Sequence, residues 1–480
     1  MAKFSYDSKK RKAIIQIDDL DLVREHFSYP NEGAVFARRR GNWYVPQRSY
    51  IITPTGRYDV GMTFDIIKFL KRELPSEPIE LDNSITHLIK PQIKADKVSL
   101  ALELRDYQDE IVDECVKFGR GVVVLATAGG KTLTMANLLE RIYQYTPNKD
   151  TWKALIIVPD LGLVNQTFSD FENYKVSFTH GKWTGNNPVN IADNVIIANM
   201  GILQSDRSDI DFINYVDVLI IDEVHKIRAK NKINKIVSKI NTPNKFGFTG
   251  TLPDNDADTW NIFGKMGPTI YEKGSYELRL EKYVSNALVQ VVKLNYKTKP
   301  QYSTEINDPG ERYRQEFEFL FTNTFRNKII KKLSTGVKKN TLILVDFIRH
   351  GEELYNVLSQ DKNKKVYFIQ GDVDVEERDK IKKLIESNDN IICIAISKIF
   401  STGISINNLH YIIFASGGKA KVKILQSIGR GLRLHKNKNK LVIIDIADQL
   451  RYSTQHSEKR IELYQKENIQ TKVVDFYENS

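Results

Sequence analysis

The feature that most constrains this chain is a series of short apolar runs, each followed by a segment long enough for a helix. The runs are Val122–Leu125, Ala154–Val158, Val195–Ala198, Val216–Ile221, Thr341–Val345, Lys365–Ile369, Ile391–Ala395, Tyr411–Phe414 and Leu441–Asp445. They are mostly continuous rather than alternating, which is typical of parallel strands that helices cover on both faces. The rhythm therefore predicts an α/β fold with two parallel-sheet domains in tandem.

The first 96 residues lack this rhythm and read as a separate, small α+β domain. Residues 63–73 have the apolar spacing of an amphipathic helix, and Thr63 is placed to cap it. Residues 75–96 read as a linker into the next domain. A second irregular stretch, residues 276–324, separates the two series of apolar runs and is expected to form a hairpin or a hinge.

Charge and composition narrow the class of protein. The chain has 480 residues, 41% of them hydrophobic, and a formal net charge of +11. The hydrophobic content suffices for ordinary packed cores. The positive excess favours a polyanionic partner such as nucleic acid, but a thinly spread excess that only aids solubility fits the charge equally well.

Two cysteines and the lack of long apolar segments bear on location. Cys115 and Cys393 are too few for a disulfide framework or a multi-cysteine zinc site, which suits a reducing cytoplasm. The first residues lack the apolar core of a signal peptide, and no apolar run is long enough to span a bilayer. We therefore expect a cytoplasmic protein without a membrane partner.

A glycine-rich segment, residues 125–132 with the sequence LATAGGKT, follows the first apolar run. A strand, a glycine turn and a helix start are the context of a phosphate-binding loop, where backbone N–H groups bind phosphate oxygens. The residues expected to line it are Ala128, Gly129, Gly130, Lys131 and Thr132. Lys131 would reach the β- and γ-phosphates, and Thr132 would bind Mg²⁺. Leu125 departs from the general pattern, and an ordinary strand-to-helix turn is the alternative.

An acidic pair, Asp222 and Glu223, ends the apolar run at 216–221. Carboxylates at the carboxyl end of a parallel strand lie where α/β proteins bind ligands. Asp222 would hold Mg²⁺ through water, and Glu223 would orient or deprotonate the attacking water. A solvated acidic strand end is the alternative interpretation of the pair alone.

Two arginines, Arg430 and Arg433, are spaced one helical turn apart and are expected to share a helix face. They could neutralise charge that develops on the γ-phosphate, as an arginine finger does. Gly429 and Gly431 would permit the close approach. A surface arginine pair that contacts acidic neighbours is the alternative.

A basic cluster, Arg38, Arg39 and Arg40, precedes Trp43 and Tyr44 in the N-terminal domain. Three adjacent like charges are hard to satisfy internally, so we expect them to bind nucleic-acid phosphates. The aromatic pair could stack on unpaired bases, but we favour a place for both rings in the core of the small domain.

In their order along the chain, these motifs resemble those of superfamily 2 helicases of the DEAH/DExH type, over about residues 104–460. The resemblance implies two RecA-like domains, at 97–275 and 325–480, behind the N-terminal domain at 1–96. It places Arg105 and Gln108 in a motif that reads adenine. Gly403 and Gln426 are implied in the nucleotide site, and ATP and Mg²⁺ as cofactors.

The same resemblance implies residues for coupling and for nucleic-acid contact. Thr249 and Thr251, with His225, resemble the motifs that couple hydrolysis to movement. The segments at 344–347, 371–378, 401–406 and 426–433 resemble motifs IV, its follower, V and VI. The implied contacts to the nucleic-acid backbone are Gln166, Asn199 and Thr402. Ser405 stands where the family usually has Asp, which puts the role of motif V in doubt.

Within the superfamily the chain resembles UvsW-like phage DNA helicases and their RecG/XPB-type relatives. That resemblance implies a DNA partner that is branched or partly single-stranded, read without sequence specificity, with RNA possible in RNA–DNA hybrids. It also implies junction unwinding, branch migration and R-loop removal, in the host bacterial cytoplasm if the chain is phage-encoded. The alternatives are a duplex translocase that does not separate strands, an RNA helicase, and an ATP-switched nucleic-acid sensor. A monomer is consistent with the sequence.

Overall fold

The structure, a computed structural model, forms two compact units. It describes residues 1–90, 93–205, 211–229, 231–300, 309–370, 375–397, 406–418, 421–435 and 438–478. The first unit comprises Met1–Leu125 and Gly130–Glu272, and the second comprises Lys273–Ser480 with Ala126–Gly129.

The N-terminal part of the first unit has a mixed sheet of its own. Its strands are β1 Ala2–Asp7, β2 Lys12–Gln16, β3 Ser28–Pro30, β4 Arg48–Tyr50, β5 Arg57–Tyr58 and β6 Ile79–Leu81. Its helices are α1 Leu20–His26, α2 Glu32–Arg39, α3 Thr63–Glu73 and α4 Asn83–Ile89. The sheet order is β5-β2-β1-β6, with β1 antiparallel to β2 and parallel to β6, while β3 pairs with β4. The predicted α+β class is confirmed.

Two expectations for this part of the chain are wrong. Residues 75–96 are not a linker, because β6 pairs with β1 and α4 buries Ile85 and Ile89. Thr63 does not cap α3: it is the first helical residue, and its hydroxyl donates to Val60 O at 2.6 Å.

A seven-stranded sheet forms the centre of the first unit. Its strands are β7 Arg120–Leu125, β8 Ala154–Val158, β9 His180–Trp183, β10 Val195–Asn199, β11 Val218–Asp222, β12 Asn244–Thr249 and β13 Thr269–Lys273. Its helices are α5 Asp106–Phe118, α6 Lys131–Tyr145, α7 Leu161–Tyr174, α8 Met200–Leu203, α9 Lys232–Lys239 and α10 Asp256–Met266. The order is β13-β7-β12-β11-β8-β10-β9, and every pair from β7 to β9 is parallel.

The four apolar runs predicted as strands in this unit became β7, β8, β10 and β11, and β7, β8 and β11 are buried along their whole length. Helices cover both faces of such a sheet, which accounts for the absence of alternation. Three strands were not predicted. β12 carries Lys245 and Gly247 among its apolar residues, and the edge strands β9 and β13 are short and rich in polar residues.

The second unit repeats the plan. Its strands are β14 Asn286–Asn295, β15 Thr341–Val345, β16 Lys365–Ile369, β17 Ile391–Ile396, β18 Tyr411–Phe414, β19 Lys440–Asp448 and β20 Gln470–Tyr477. Its helices are α11 Ser275–Leu280, α12 Pro309–Thr322, α13 Thr324–Thr335, α14 Ile348–Leu358, α15 Val375–Ser387, α16 Lys421–Gly431 and α17 Ser453–Lys466. The order is β16-β17-β15-β18-β19-β14-β20, and all six pairs are parallel. The predicted tandem of parallel-sheet domains is confirmed.

The prediction that residues 276–324 form an irregular connection is wrong for the described residues of this range. β14 lies between β19 and β20 in the second sheet, and Val289, Val291 and Val292 are fully buried there. Its buried and half-buried positions partly alternate, so it lacks the continuous apolar run of the other central strands.

Buried ion pairs fix two helices of the second unit to β19. Arg326 of α13 donates to Asp448 at 2.9 Å and to Ala415 O at 2.8 Å. Arg460 of α17 donates to Asp445 at 2.6 Å, and Tyr464 OH donates to the same carboxylate at 2.7 Å. Each buried charge thus has a partner of opposite sign, as a dry interior requires.

In the described part of the chain, no helix combines the length and apolar composition needed to cross a bilayer.

The N-terminal part packs closely on α10 of the first unit. Gly61 allows this approach, because a Cβ there would collide with the backbone carbonyl of Phe263. Phe27 and Trp260 meet edge to face with ring centroids 5.7 Å apart. Asp59 accepts from Lys12 at 2.5 Å and from Lys265 of α10 at 2.5 Å, so a carboxylate bridges the two parts.

The bridge formed by Asp59 should stabilise the first unit in a pH-dependent way. Burial alone would raise the pKa of Asp59, but the Lys265 and Lys12 ammonium groups outweigh it and lower the pKa to about 2. Because the folded pKa lies below the unfolded value, the stabilisation is present above about pH 4 and is lost as pH falls from about 4 to about 2. The shift corresponds to about 2 kcal/mol.

We expect Asp59→Asn to lower the unfolding free energy at pH 7 by about that amount. The difference from the unmodified protein should shrink as urea unfolding is repeated down to pH 3. Asp21→Asn, whose carboxylate is 90% exposed beside Arg24, is the matched control and should have little effect at any pH. A difference that stays constant from pH 7 to pH 3 would contradict the ionic origin of the stabilisation.

Candidate nucleotide site

The glycine-rich segment occupies the turn between β7 and α6, where the sequence predicted a phosphate loop. The apolar strand ends at Leu125, and α6 begins at Lys131. Ala128 and Gly130 both have left-handed backbone angles, with φ of +71° and +80°. Gly130 is required by its angle and by space, because a Cβ would collide with the Gln108 amide.

Gln108 thus lies against the end of the loop, as the adenine-reading motif implies. It lies in the first turn of α5 and is buried, and its Oε1 accepts from the Arg105 N–H at 2.9 Å. Arg105 Nη1 donates to Tyr107 OH at 3.0 Å, which fixes the guanidinium beside the same turn.

The acidic pair ends β11 at the carboxyl edge of the sheet. Glu223 adopts a left-handed conformation with φ of +53°, and its N–H donates to Asp222 Oδ1 at 2.9 Å. Lys131 Nζ lies 3.0 Å from Glu223 Oε1, and both side chains are about one-eighth exposed. The first helical residue after the loop and the acidic pair at the strand end therefore meet.

A chain of polar contacts leads from this ion pair to the Thr-Gly-Thr segment. Glu223 Oε2 lies 3.3 Å from His225 Nδ1, and His225 Nδ1 lies 2.8 Å from Thr249 Oγ1. Thr249 Oγ1 donates to Thr251 O at 2.8 Å. With the threonine hydroxyl donating to Thr251 O, its oxygen is free to accept a hydrogen bond from the His225 ring. The side chains and the backbone carbonyl form one connected path.

The surroundings shift the pKa values of the two carboxylates in opposite directions. Burial would raise the pKa of Glu223, but Lys131 and His225 outweigh it and hold the pKa well below its usual range. Burial raises the pKa of Asp222 to about 6, since Lys131 offsets it only in part and Glu223 adds to it. Glu223 is therefore the ionised partner of Lys131, and a cation beside Asp222 would lower the raised pKa of that carboxyl.

Comparison with known proteins identifies the family of this chain. Residues 101–254 match the family described as type III restriction enzyme, res subunit, and residues 325–435 match the helicase conserved C-terminal domain. The ATP-dependent DNA helicase uvsW of Enterobacteria phage T4 is 29% identical over 354 residues, which span 71% of this chain and 68% of the relative. This chain belongs to the superfamily 2 helicases. It is therefore an ATP-hydrolysing enzyme that acts on nucleic acid.

One further relative and one solved structure are also similar to this helicase. The DNA 3'-5' translocase XPB2 of Sulfurisphaera tokodaii is 25% identical over 415 residues, which span 78% of this chain and 86% of the relative. Among solved structures, the ATP-dependent Type ISP restriction-modification enzyme LlaBIII bound to DNA aligns with 78% of this chain and 32% of that chain. Its TM-score of 0.57 at 14% identity is a likeness of fold alone.

The predicted arginine pair of the helicase differs from expectation. Arg430 lies in α16 and is buried, but α16 ends at Gly431 and Arg433 lies beyond it. Beyond the helix, Leu432 O accepts from the Ser285 N–H at 2.8 Å. The shared helix face is therefore wrong, and the action of both arginines on the triphosphate stays a prediction. Gln426 is half-buried in α16.

The residues predicted to contact nucleic acid lie in different elements of the fold or outside the described residues. Gln166 is half-buried in α7, and Asn199 ends β10, where its Oδ1 accepts from Gly201 N at 2.7 Å. Thr402 and Gly403 lie outside the described residues, as do Ser405 and residues 371–374. Within the described ranges, no group of three or more His, Cys, Asp or Glu side chains could hold a metal ion by itself.

The basic cluster of the N-terminal part is at the surface. Arg38 and Arg39 end α2, Arg40 follows it, and Arg39 and Arg40 are exposed. Trp43 is 69% exposed and Tyr44 is 99% exposed, so the core position favoured for these rings is wrong. Arg38 lies over the Trp43 ring at 5.8 Å, which keeps an aromatic face beside the cations in solvent. Exposure of an aromatic pair was not predictable from its composition.

Removal of the Thr249 hydroxyl should separate hydrolysis from strand separation. Thr249→Val keeps the shape of the side chain but removes the acceptor of His225 and the donor to Thr251 O. Thr249 lies at the far end of the polar path from Lys131. We therefore expect ATP turnover to fall by a few-fold and strand displacement by at least tenfold, measured on the same forked DNA.

Thr146→Val is the matched control. Its hydroxyl donates to Ile142 O of the helix that it follows, at 3.0 Å, so neither activity should change. If Thr249→Val lowers both activities by the same factor, the residue does not act in coupling.

Proposed function

We propose that this helicase is an ATP-driven motor that acts on branched DNA. In this role it would unwind forks and junctions, drive branch migration and remove RNA from R-loops, in recombination, replication or repair. The single observation that carries the motor assignment is the uninterrupted polar path from Lys131 through Glu223 and His225 to Thr249. The choice of DNA rests on the named activities of the phage helicase and the archaeal translocase.

In this proposal the first unit binds ATP with side chains that are already in place. Lys131 would exchange Glu223 for the β- and γ-phosphates, the loop from Ala128 to Thr132 would wrap the phosphates, and Arg105 and Gln108 would bind adenine. Arg430, Arg433, Gln426 and Gly403 are proposed to complete the nucleotide site.

The Mg²⁺ that accompanies ATP fits the oxygen donors proposed here. Thr132 offers a hydroxyl and Asp222 a buried carboxylate, a hard-oxygen pair of the kind that Mg²⁺ takes along with water and phosphate oxygens. The bound ion would supply charge neutralisation on the triphosphate.

Glu223 is proposed to position and deprotonate the attacking water. Lys131 and His225 keep it ionised, which is the protonation state that a general base needs. Departure of Lys131 to the phosphates would free Oε1 for the water, while Oε2 stays beside His225. His225, Thr249 and Thr251 would then carry the change of state at Glu223 to the Thr-Gly-Thr segment.

DNA is proposed to contact Gln166, Asn199 and Thr402 through its backbone. Such contacts read no sequence, and affinity should fall steeply with salt. The surface pair Arg39 and Arg40, with Trp43 and Tyr44 exposed beside them, offers an additional site for phosphates and unpaired bases.

ATP hydrolysis measured without nucleic acid, then with single-stranded DNA, duplex DNA, a four-way junction and RNA, tests the proposal. We expect the junction to stimulate turnover at least tenfold over duplex DNA. Lys131→Ala should lose turnover by at least a hundredfold, because the loop loses its phosphate ligand, while circular dichroism stays unchanged. Lys149→Ala, at an exposed lysine just after α6, is the control and should keep full turnover.

The pattern of stimulation decides among the candidate functions. Stimulation by RNA alone would make the enzyme an RNA helicase, and equal turnover with every addition would indicate an ATP-switched sensor. Undiminished turnover in Lys131→Ala would contradict the assignment of the phosphate loop.

Charge reversal of the exposed arginines tests the N-terminal DNA site. The double change Arg39→Glu and Arg40→Glu should weaken junction binding at least tenfold and lower the slope of log affinity against log salt by about two. ATP turnover without DNA should stay the same. Arg72→Glu, an exposed arginine on α3 of the same region, is the control. Unchanged DNA affinity in the double variant would exclude this surface.

A second candidate is a translocase that moves on duplex DNA without separating the strands. The observation that favours it is the named activity of the archaeal relative, a DNA 3'-5' translocase. A fork-unwinding assay beside a triplex-displacement assay separates the two, because a pure translocase displaces only the third strand.

The proposed location is the cytoplasm, in keeping with two buried, unbridged cysteines.

A further inference from the structure

A small cavity with an unusual charge balance lies in the first unit, where the N-terminal part meets the central sheet. Its volume is about 40 Å³, room for roughly three water molecules. The cationic side chains that line it are Arg11, Arg120, Lys245 and Lys265. Among the described lining residues, Asp59 is the single carboxylate, and it already accepts from Lys265 and Lys12.

The two central cations are buried side by side. Arg120 begins β7 and Lys245 lies in β12, and the two are register partners in adjacent parallel strands. Arg120 is 1% exposed and Lys245 is 8% exposed. Arg120 donates to the backbone carbonyls of Leu88, Lys265 and Met266 at 2.9–3.0 Å, and Lys245 Nζ donates to Ile240 O at 2.5 Å. These neutral acceptors carry no opposite charge, so Asp59, which already accepts from Lys12 and Lys265, is the single carboxylate among the described lining residues that offsets the two charges.

We propose that this cavity binds one tetrahedral oxyanion, a phosphate group, between Arg120, Lys245 and Arg11. Arg11 reaches the cavity from the turn between β1 and β2 and donates to Lys239 O, and Tyr6 brings a hydroxyl from β1. Three cationic side chains, from the β1–β2 turn, β7 and β12, thus line the cavity, and a bound cation would face these like charges. The bound anion would join the N-terminal part to the central sheet.

The electrostatics of Lys245 agree with this assignment. Burial, together with the charges of Arg120 and Lys265, lowers the pKa of Lys245 to about 7, and Asp59 restores only part of the loss. An ammonium group that is so near neutrality without an anion should regain its proton when phosphate binds, since an opposite charge favours the charged form.

The site is separate from the nucleotide site. Arg120 is the first residue of β7 and Leu125 is the last, so the cavity lies at the amino edge of the sheet and the phosphate loop at the carboxyl edge. A six-residue strand spans about 17 Å between its ends. ATP on the loop therefore cannot fill the cavity.

Thermal unfolding in phosphate against chloride, at equal ionic strength and pH 7, tests the proposal. The full chain is used with Lys131→Ala as background, so that the phosphate loop contributes least. Phosphate at ten times its dissociation constant should raise the Tm by about 3 °C or more. Lys245→Met should abolish this rise without lowering the Tm in chloride, because it replaces a buried charge with an apolar side chain of similar volume.

Two further variants make the test decisive. Arg11→Gln, at the exposed rim, should weaken the phosphate response several-fold and protects the test if Lys245→Met does not fold. Lys235→Met, an exposed lysine on α9, is the matched control and should respond like the background. No phosphate-specific rise, or an equal rise in Lys245→Met, would overturn the site.

Measurements of DNA binding distinguish the two possible sources of the phosphate group, DNA and free phosphate. If the group belongs to DNA, Lys245→Met should weaken junction affinity and lower the salt slope by about one. If it is free phosphate, DNA affinity should stay the same while the Tm response is lost. Both results keep the anion site, and neither depends on ATP turnover.

Discussion

The ion pair between Lys131 and Glu223 is the contact on which the rest of the nucleotide site depends. It joins the start of α6 to the end of β11, and through His225 it extends to the segment after β12. These groups come from separate parts of the sequence, and the parallel sheet brings them together at the carboxyl ends of β7, β11 and β12. Because the path is buried, each of its groups needs a partner, so a change at one end must be accommodated by the others.

The same sheet separates two kinds of chemistry by its edges. At the carboxyl edge lie the paired carboxylates and the glycine turn that are proposed to bind a triphosphate and its cation. At the amino edge, Arg120 and Lys245 concentrate positive charge beside the N-terminal part of the unit. The strands between the edges are almost wholly apolar, and their length separates the two charged regions.

Continuous apolar runs made most of this fold predictable, because burial on both faces leaves a strong and simple pattern. The motifs at the strand ends likewise assigned Lys131 and Glu223 to one nucleotide site, but the direct ion pair between them was not predicted. Strands without that pattern escaped: β12 carries the charged Lys245 near its start, and β14 partly alternates. Two other errors have no signal in the local pattern: α16 ends at Gly431, before Arg433, and Trp43 is exposed to solvent rather than packed in a core.

The position of β14 has a consequence for how the chain is made. This strand pairs with β19 and β20, so its partners follow it by about 150 residues or more in the sequence. Roughly 190 residues separate the start of β14 from the end of β20, which takes about 10–40 s of ribosomal synthesis. The first unit can close its own sheet during that time, because β7 to β13 are already complete. β14 must wait, unpaired and largely apolar, until the last strands of its sheet emerge, which makes the second unit the slower and more aggregation-prone half of a nascent chain.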